Sequence, residues 1–244
     1  MVRGLYTAAT GMVLQMERQE VIANNLANVS TTGYKRDDLV AEAFREKLLQ
    51  AKRANRQWNV GPIGSGVAGS WLRTDFSPGA VVVTHAPLDL ALAGEGFLVV
   101  QTPAGQRLTR NGSLVRDAEG YLATRQGYRV LGDNGPIYLA GTDVRINGDG
   151  EVTVDGAPAG RLLLMKPAAD GGLIKEGANL FRSESGLVPA DCRVQQGVLE
   201  NANVQAVMEM VRMIDVSRAS EANQKVLAAH DSALDKAVNE VGRV

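Results

Sequence analysis

A chain of 244 residues with 45% hydrophobic content is long enough to bury a core in one large domain or two modest ones. Its formal net charge of −1 argues against a nucleic-acid groove or a patch for anionic membranes, and it permits self-association without long-range repulsion. Cys192 is the only cysteine, which excludes an intrachain disulfide and a cysteine-based metal cluster. The opening Met1-Val-Arg-Gly-Leu-Tyr-Thr-Ala-Ala-Thr-Gly-Met lacks the apolar run of a cleavable signal, and no stretch reaches transmembrane length. The expectation is a cytosolic chain, unless it leaves by a route that reads an uncleaved N-terminus. All eight prolines lie between Pro62 and Pro189, so both ends permit helix while the middle is punctuated like a β-domain. The pattern predicts an α+β fold in which N- and C-terminal helices pack together in coiled-coil fashion around a central antiparallel β-rich domain. The expected division is 1–60 for the N-terminal helical segment with its linker, 61–197 for the β-rich body and 198–244 for the C-terminal helix.

In chain order, Leu5, Ala9, Met12, Met16, Gln19, Ala23 and Leu26 keep a 4-3 spacing, the seam of a heptad helix with one polar interruption at Gln19. Alanine and methionine make that seam marginal for a free helix. Asn24, Asn25 and Asn28 then divert backbone hydrogen bonds into a turn, and Ser30-Thr31-Thr32-Gly33 supplies turn chemistry, with Gly33 free to take positive φ. A second helix is expected to start at Asp37-Asp38, to carry Val40, Phe44, Leu48 and Ala51 on one face, and to stop before Gly61-Pro62.

The middle opens on Gly64-Ser-Gly66-Val-Ala-Gly69, which fits the G-x-G-x-x-G dinucleotide fingerprint. The strand-like Ser70-Trp71-Leu72-Arg73-Thr74-Asp75-Phe76 that follows offers no helix N-terminus for a phosphate, so the match is read as a loop. Short β-like runs come next, among them Val81-Val82-Val83-Thr84, Leu88-Asp-Leu90-Ala-Leu92 and Phe97-Leu98-Val99-Val100. Turn signals at Asp117–Gly120, Gly132–Gly135 and Asn147–Gly150 separate them and imply an antiparallel β-domain. His85 and His230 have no cysteine or carboxylate at ligand spacing, and Asn147-Gly-Asp149-Gly-Glu151 lacks the spacing of a calcium loop and reads as a hairpin turn. No catalytic, cofactor or metal site is therefore assigned.

The last segment opens at Gly197–Val204, with Asn203 as the expected N-cap. Val204, Val207, Val211 and Ile214 form a first apolar stripe, and Leu227, Leu234, Val238 and Val241 a second. Such a long helix with a weak apolar middle needs another helix, either residues 5–27 of its own chain or a neighbouring subunit.

Several of these stretches, in order, resemble one family. Asn24-Asn25-Leu26-Ala27-Asn28 with Thr31, Gly33-Tyr34-Lys35 is similar, almost letter for letter, to the N-terminal signature of the flagellar rod and hook axial proteins. Thr74–Gly79, Pro87–Ala91 with Gly94-Glu95-Gly96-Phe97, Thr109–Ser113, Asp117–Gly120 and Gln126-Gly127-Tyr128 resemble its middle segments, with Leu114 where the family usually has Phe. Gly197-x-Leu199-Glu200-x-x-Asn203-Val204, Glu209-Met210-Val211-x-Met213-Ile214 and Arg218–Lys225 resemble its C-terminal run. Within the family, Gly4–Ala8 and Ala43-Phe44 look most like a rod subunit below the distal rod, with a distal-rod subunit close behind. Hook protein is disfavoured, because 244 residues leave no room for its extra outer domain.

The resemblance implies a structural subunit without enzymatic activity or cofactor, exported by the flagellar type III apparatus without signal cleavage. It would assemble with itself and with other rod and hook-basal-body proteins into the axial shaft, with no nucleic acid and no membrane insertion. The assembly surface is expected at Leu5, Ala9, Met12, Met16, Leu26, Val204, Val207, Val211 and Ile214, and the signature turn at Asn24, Asn25, Asn28 and Gly33. Two other classes predict different behaviour: a ligand-binding β-domain requires a pocket and fully packed ends, and a secreted hydrolase requires a nucleophile or acid pair.

Overall fold

Helix α1 spans Val2–Ala27 and helix α2 spans Ala206–Asn239, and the chain between them is built from antiparallel strands. This computed structural model describes residues 2–43, 47–53, 56–63, 66–169 and 172–239. Two units result. One comprises residues 1–27, 37–75 and 205–244, the other residues 28–36 and 76–204.

The first unit pairs the terminal helices with two strand ribbons. α1 and α2 run antiparallel: a Cβ at Gly4 would meet the His230 imidazole and one at Gly11 the Asn223 amide, so a step of seven along α1 is a step of seven back along α2. Glycine stands at both of these approaches. Strands β1 (Asp37–Ala43) and β4 (Val67–Thr74) pair over their length, as do β2 (Lys47–Arg53) and β3 (Arg56–Ile63). The helix expected from Asp37 is therefore a strand ribbon; of its proposed apolar face, Val40 lies in β1, Leu48 and Ala51 in β2, and Phe44 outside the described residues. The physical reason is tertiary. The Asn25 carboxamide donates to the Asp37 carbonyl (2.8 Å) and accepts from its N–H (3.1 Å), and β4 pairs with β1 from Asp37 to Ala43. Pairing of this kind overrides weak helix propensity. β4 begins at Val67, so the strand expected from Ser70 takes in Val67, Ala68 and Gly69, the end of the glycine-rich stretch read as a loop.

The second unit is the β-body. Its strands include β5 (Val81–Val83), β6 (Leu90–Ala93), β7 (Phe97–Thr102) and β8 (Gly105–Thr109). The main sheet has the spatial order Leu173–Gly177, Leu180–Ser183, β8, β7, Arg129–Gly132, Leu122–Thr124, Leu114–Arg116, with every neighbour antiparallel. β7 explains its own sequence. Leu98 and Val100 enter the main core with Leu122, Val130, Leu139 and Val152, while Phe97 and Val99 enter a second cluster with Leu108, Leu131 and Phe181. A strand covered on both faces has no polar alternation to show. Leu114 fills a core position, and Asn147 closes the hairpin before Glu151–Val154 by accepting from the N–H groups of Asp149 (3.1 Å) and Glu151 (2.9 Å). That is a self-satisfied turn.

Candidate functional site

In the first unit the exposed apolar residues of the terminal helices are the feature that calls for a partner. α1 meets α2 at Gly4 and Gly11 and faces β4 through Thr10, beside Gly66, and Glu17, which accepts a hydrogen bond from Ser70. Ala8, Leu14, Ile22 and Asn25 are buried. Of the expected assembly residues on α1, Leu5, Ala9, Met12 and Leu26 are half-buried and Met16 is 58% exposed. The contacts to α2 at positions 4 and 11 lie one residue off the heptad seam read from sequence, which leaves that seam on the flank of the helix pair. Tyr6 and Val13, absent from the sequence-derived set, are exposed beside Met16. On α2, Val207 (73%), Val211 (48%) and Ile214 (52%) are exposed, together with Met208 and Met210. Only Glu209 and Val216 of the described α2 residues are buried. Leu227 and Leu234 are half-buried, Val238 is exposed, and Val241 lies outside the described residues.

Of the signature residues, Asn24 is exposed on α1 and Asn25 is the brace to Asp37 described above. Asn28 and Gly33 belong with the β-body. The Asn28 carbonyl accepts from the Thr31 N–H (3.0 Å) and its side-chain oxygen from the Thr31 hydroxyl (3.2 Å). Gly33, at φ 67°, donates its N–H to the Glu200 carbonyl (2.7 Å), and a Cβ there would lie 2.5 Å from the Arg110 carbonyl oxygen. Only glycine fits that conformation at that approach. Val204 is not on α2: it is buried with Tyr34 and Ala202 in a small cluster of the body. Asn203 is likewise off the helix, accepting from the Arg36 N–H (2.7 Å) and donating to the Ser77 carbonyl (3.1 Å), while the first described turn of α2 closes from Glu209 N–H to the Gln205 carbonyl.

Beneath the signature turn lies an ion network that sequence reasoning did not single out. Glu200 is 3% exposed and receives Lys35 Nζ on Oε1 (2.6 Å), the Gly79 N–H on Oε1 (2.9 Å) and Arg110 Nε on Oε2 (2.8 Å). Lys35 also donates to the Ser77 carbonyl (2.8 Å), and Arg110 to the carbonyls of Leu92 (2.6 Å), Gly94 (2.8 Å) and Gly96. Burial pushes the Glu200 carboxyl up, but hydrogen bonds from Arg110, Lys35 and the Gly79 N–H outweigh it and hold the group below its ordinary value of 4.5. Each member sits in a stretch already visible as a motif: Gly33-Tyr34-Lys35, Ser77-Pro78-Gly79, Gly94-Glu95-Gly96, Thr109-Arg110 and Leu199-Glu200. The missed signal was charge sign. A Lys, an Arg and a Glu in three otherwise turn-like motifs are candidates for one buried cluster, because such charges go inside only when paired.

Among the described residues no group of His, Cys, Asp and Glu is arranged to hold a metal ion, and no helix is long and apolar enough to cross a membrane.

Comparisons with known proteins agree with the motif order. Residues 5–35 match the family described as flagella basal body rod protein, residues 91–154 the flagellar hook protein FlgE/F/G D1 domain, and residues 195–240 the flagellar basal body rod FlgEFG protein C-terminal family. The flagellar basal-body rod protein FlgF of Caulobacter vibrioides is 31% identical over 246 residues, covering 98% of each chain. FlgF of Escherichia coli is 34% identical, covering 93% of each chain, and the rod protein FlgG of Agrobacterium fabrum is 36% identical over 94% of this chain and 95% of its own. With identity of this level over nearly the full length, on a fold whose motif residues converge on one buried network, the chain belongs to the flagellar basal-body rod protein family.

Proposed function

We propose that this chain is a structural subunit of the flagellar basal-body rod, assembling through its terminal helices into the axial shaft that carries motor torque to the hook. The observation that carries this reading is the exposed apolar surface of α1 and α2: Met16, Val207, Val211 and Ile214, extended by Tyr6, Val13 and Met210, occupy helices already paired with each other. Apolar residues left outside an intact helix pair are assembly surface when further copies cover them. Leu5, Ala9, Met12 and Leu26 flank that surface, and coiled-coil-type packing against neighbouring subunits is the arrangement their spacing favours. Val204 contributes from beneath, by holding the start of the C-terminal segment to Tyr34. The subunit is non-enzymatic, crosses the cytoplasmic membrane by flagellar type III export with its N-terminus intact, and meets other rod and hook-basal-body proteins in the basal body. It is of the FlgF type, with the distal-rod FlgG type as the alternative.

The test is Met16→Asp and Val211→Asp in a motile strain, with purified protein made in parallel. Both variants are expected to keep the wild-type unfolding midpoint and to be exported, yet to yield no completed hooks. Wild-type motility from both variants would sink the reading. Complementation of strains lacking either FlgF or FlgG separates the two types.

A further inference from the structure

Strand β5 has one neighbour in the β-body, Val198–Glu200, and pairs with it antiparallel: Val83 stands opposite Val198, Val82 opposite Leu199 and Val81 opposite Glu200. The flanking hydrogen bonds fix which backbone groups this ladder uses. The Thr84 N–H donates to the Gly197 carbonyl (2.8 Å), and the Asn201 N–H to the Ala80 carbonyl (2.8 Å). Hydrogen-bonded pairs in an antiparallel ladder recur at every second residue, so Val82 is bonded to Leu199, and the N–H and C=O groups of Val81 and Val83 point to the open side. Among the described residues none of those four groups has a hydrogen-bond partner.

The strand also lacks the devices that keep an edge single. Natural edges are blunted by a lysine, a proline or a bulge. β5 carries none of these: Val81, Val82 and Val83 are 54%, 46% and 61% exposed, and no Asp, Glu, Lys or Arg stands between Pro78 and Ala86. Both faces of the strand present valine, with the open backbone groups along the edge between them.

The spacing of the open groups selects their partner. Two donors and two acceptors, at Val81 and Val83 with Val82 between, are matched by the same three residues running the other way. Val81 of each copy then exchanges both hydrogen bonds with Val83 of the other, and the two Val82 residues meet on the twofold axis as a non-hydrogen-bonded pair. All four groups of each copy are satisfied, and valine meets valine across the strands. Such a contact is isologous and closes at two copies. We propose that β5 is a pairing edge through which two copies of this chain join antiparallel about Val82. The edge goes beyond the rod reading and does not rest on it, since the terminal helices take no part.

The experiment follows the ¹⁵N-labelled full-length chain at rising concentration, up to about 1 mM, because so short a contact belongs to the weak class. The amides of Val81 and Val83 should shift with concentration and exchange at least about twofold more slowly at its upper end. The Val82 amide, already bonded within the chain, should gain no protection. Val82→Lys and Val82→Glu each set like charges directly opposite one another and should weaken this association about fivefold, and an equimolar mixture of the two should regain it. Val82→Thr, which stays β-branched and uncharged, should associate like the wild type, and all three variants should keep the wild-type unfolding midpoint. Val81 and Val83 amides indifferent to concentration, wild-type association in either charged variant, or a mixture that stays dissociated would overturn the proposal.

Discussion

Glu200 ties together residues that are far apart in sequence: Lys35 from the signature turn, Gly79 from the segment before β5, and Arg110 just after β8. Removing one partner from a buried ion cluster leaves the others uncompensated, at a cost of about 3–5 kcal/mol. Glu200→Gln, which keeps the shape and loses the charge, is therefore expected to lower stability by roughly that amount near neutral pH. The pH dependence follows from the depressed carboxyl. Its stabilising contribution is full above the ordinary value of 4.5 and disappears as pH falls through the lower folded-state value. Urea unfolding from pH 7 down to pH 3 should show a constant gap between wild type and Glu200→Gln down to about pH 4.5, and a closing gap below it. A gap that widens in acid would contradict the assignment. Cys192 illustrates the opposite case: buried beside Gly94 and Gly96, its thiol is pushed up by burial, so it is held as a neutral packing group.

Among the elements, the helix pair shows how small residues set an interface. Gly4 and Gly11 let α2 approach α1 at His230 and Asn223, and the spaces they leave are too small for a larger side chain without movement. Gly11→Ala adds one carbon 3.2 Å from the Asn223 amide and gains helix propensity of about 0.5–1 kcal/mol, so little net change in thermal stability is expected. Gly11→Leu cannot fit and should cost about 1–3 kcal/mol by overpacking. Thermal unfolding followed at 222 nm separates the two, and similar midpoints for both variants would mean that the helices are not held at this approach. The β1–β4 ribbon gives a further lesson: the local sequence Asp37-Asp38 is compatible with a helix start, and the Asn25 brace with the β4 ladder decides otherwise.

For the whole molecule, the distribution of burial predicts unequal stability. β7 is covered on both faces, whereas α2 has no buried residue among those described after Val216. Local opening should therefore dominate exchange in the last part of α2, while β7 exchanges only through global unfolding. Hydrogen exchange on the dilute full-length chain is expected to show amides between Ala219 and Ala237 exchanging at least about 100-fold faster than those of Val99 and Val100. In an assembled state the same helix amides should become protected, since neighbours then bear the cost of ordering, about 1–2 kcal/mol per residue of backbone. Full protection of α2 in the dilute chain would remove the link between assembly and helix order.

The sequence by itself determined the terminal helices, the antiparallel character of the middle, most of its turns and, through motif order, the family. Each of these rests on local information: proline distribution, heptad spacing, glycine and asparagine at turns, and short runs whose letters persist wherever the chain goes. What only the tertiary structure decided were long-range choices. It turned 37–43 into a strand, moved the α2 contacts one residue off the predicted seam, placed Val204 and Asn203 in the body, and brought Lys35, Arg110 and Glu200 into one buried cluster. A helix seam shifted by one residue leaves a spacing of the same period, and a strand's ladder partner lies tens of residues away. A charge reads as surface until its counter-charge is brought beside it, and only packing does that.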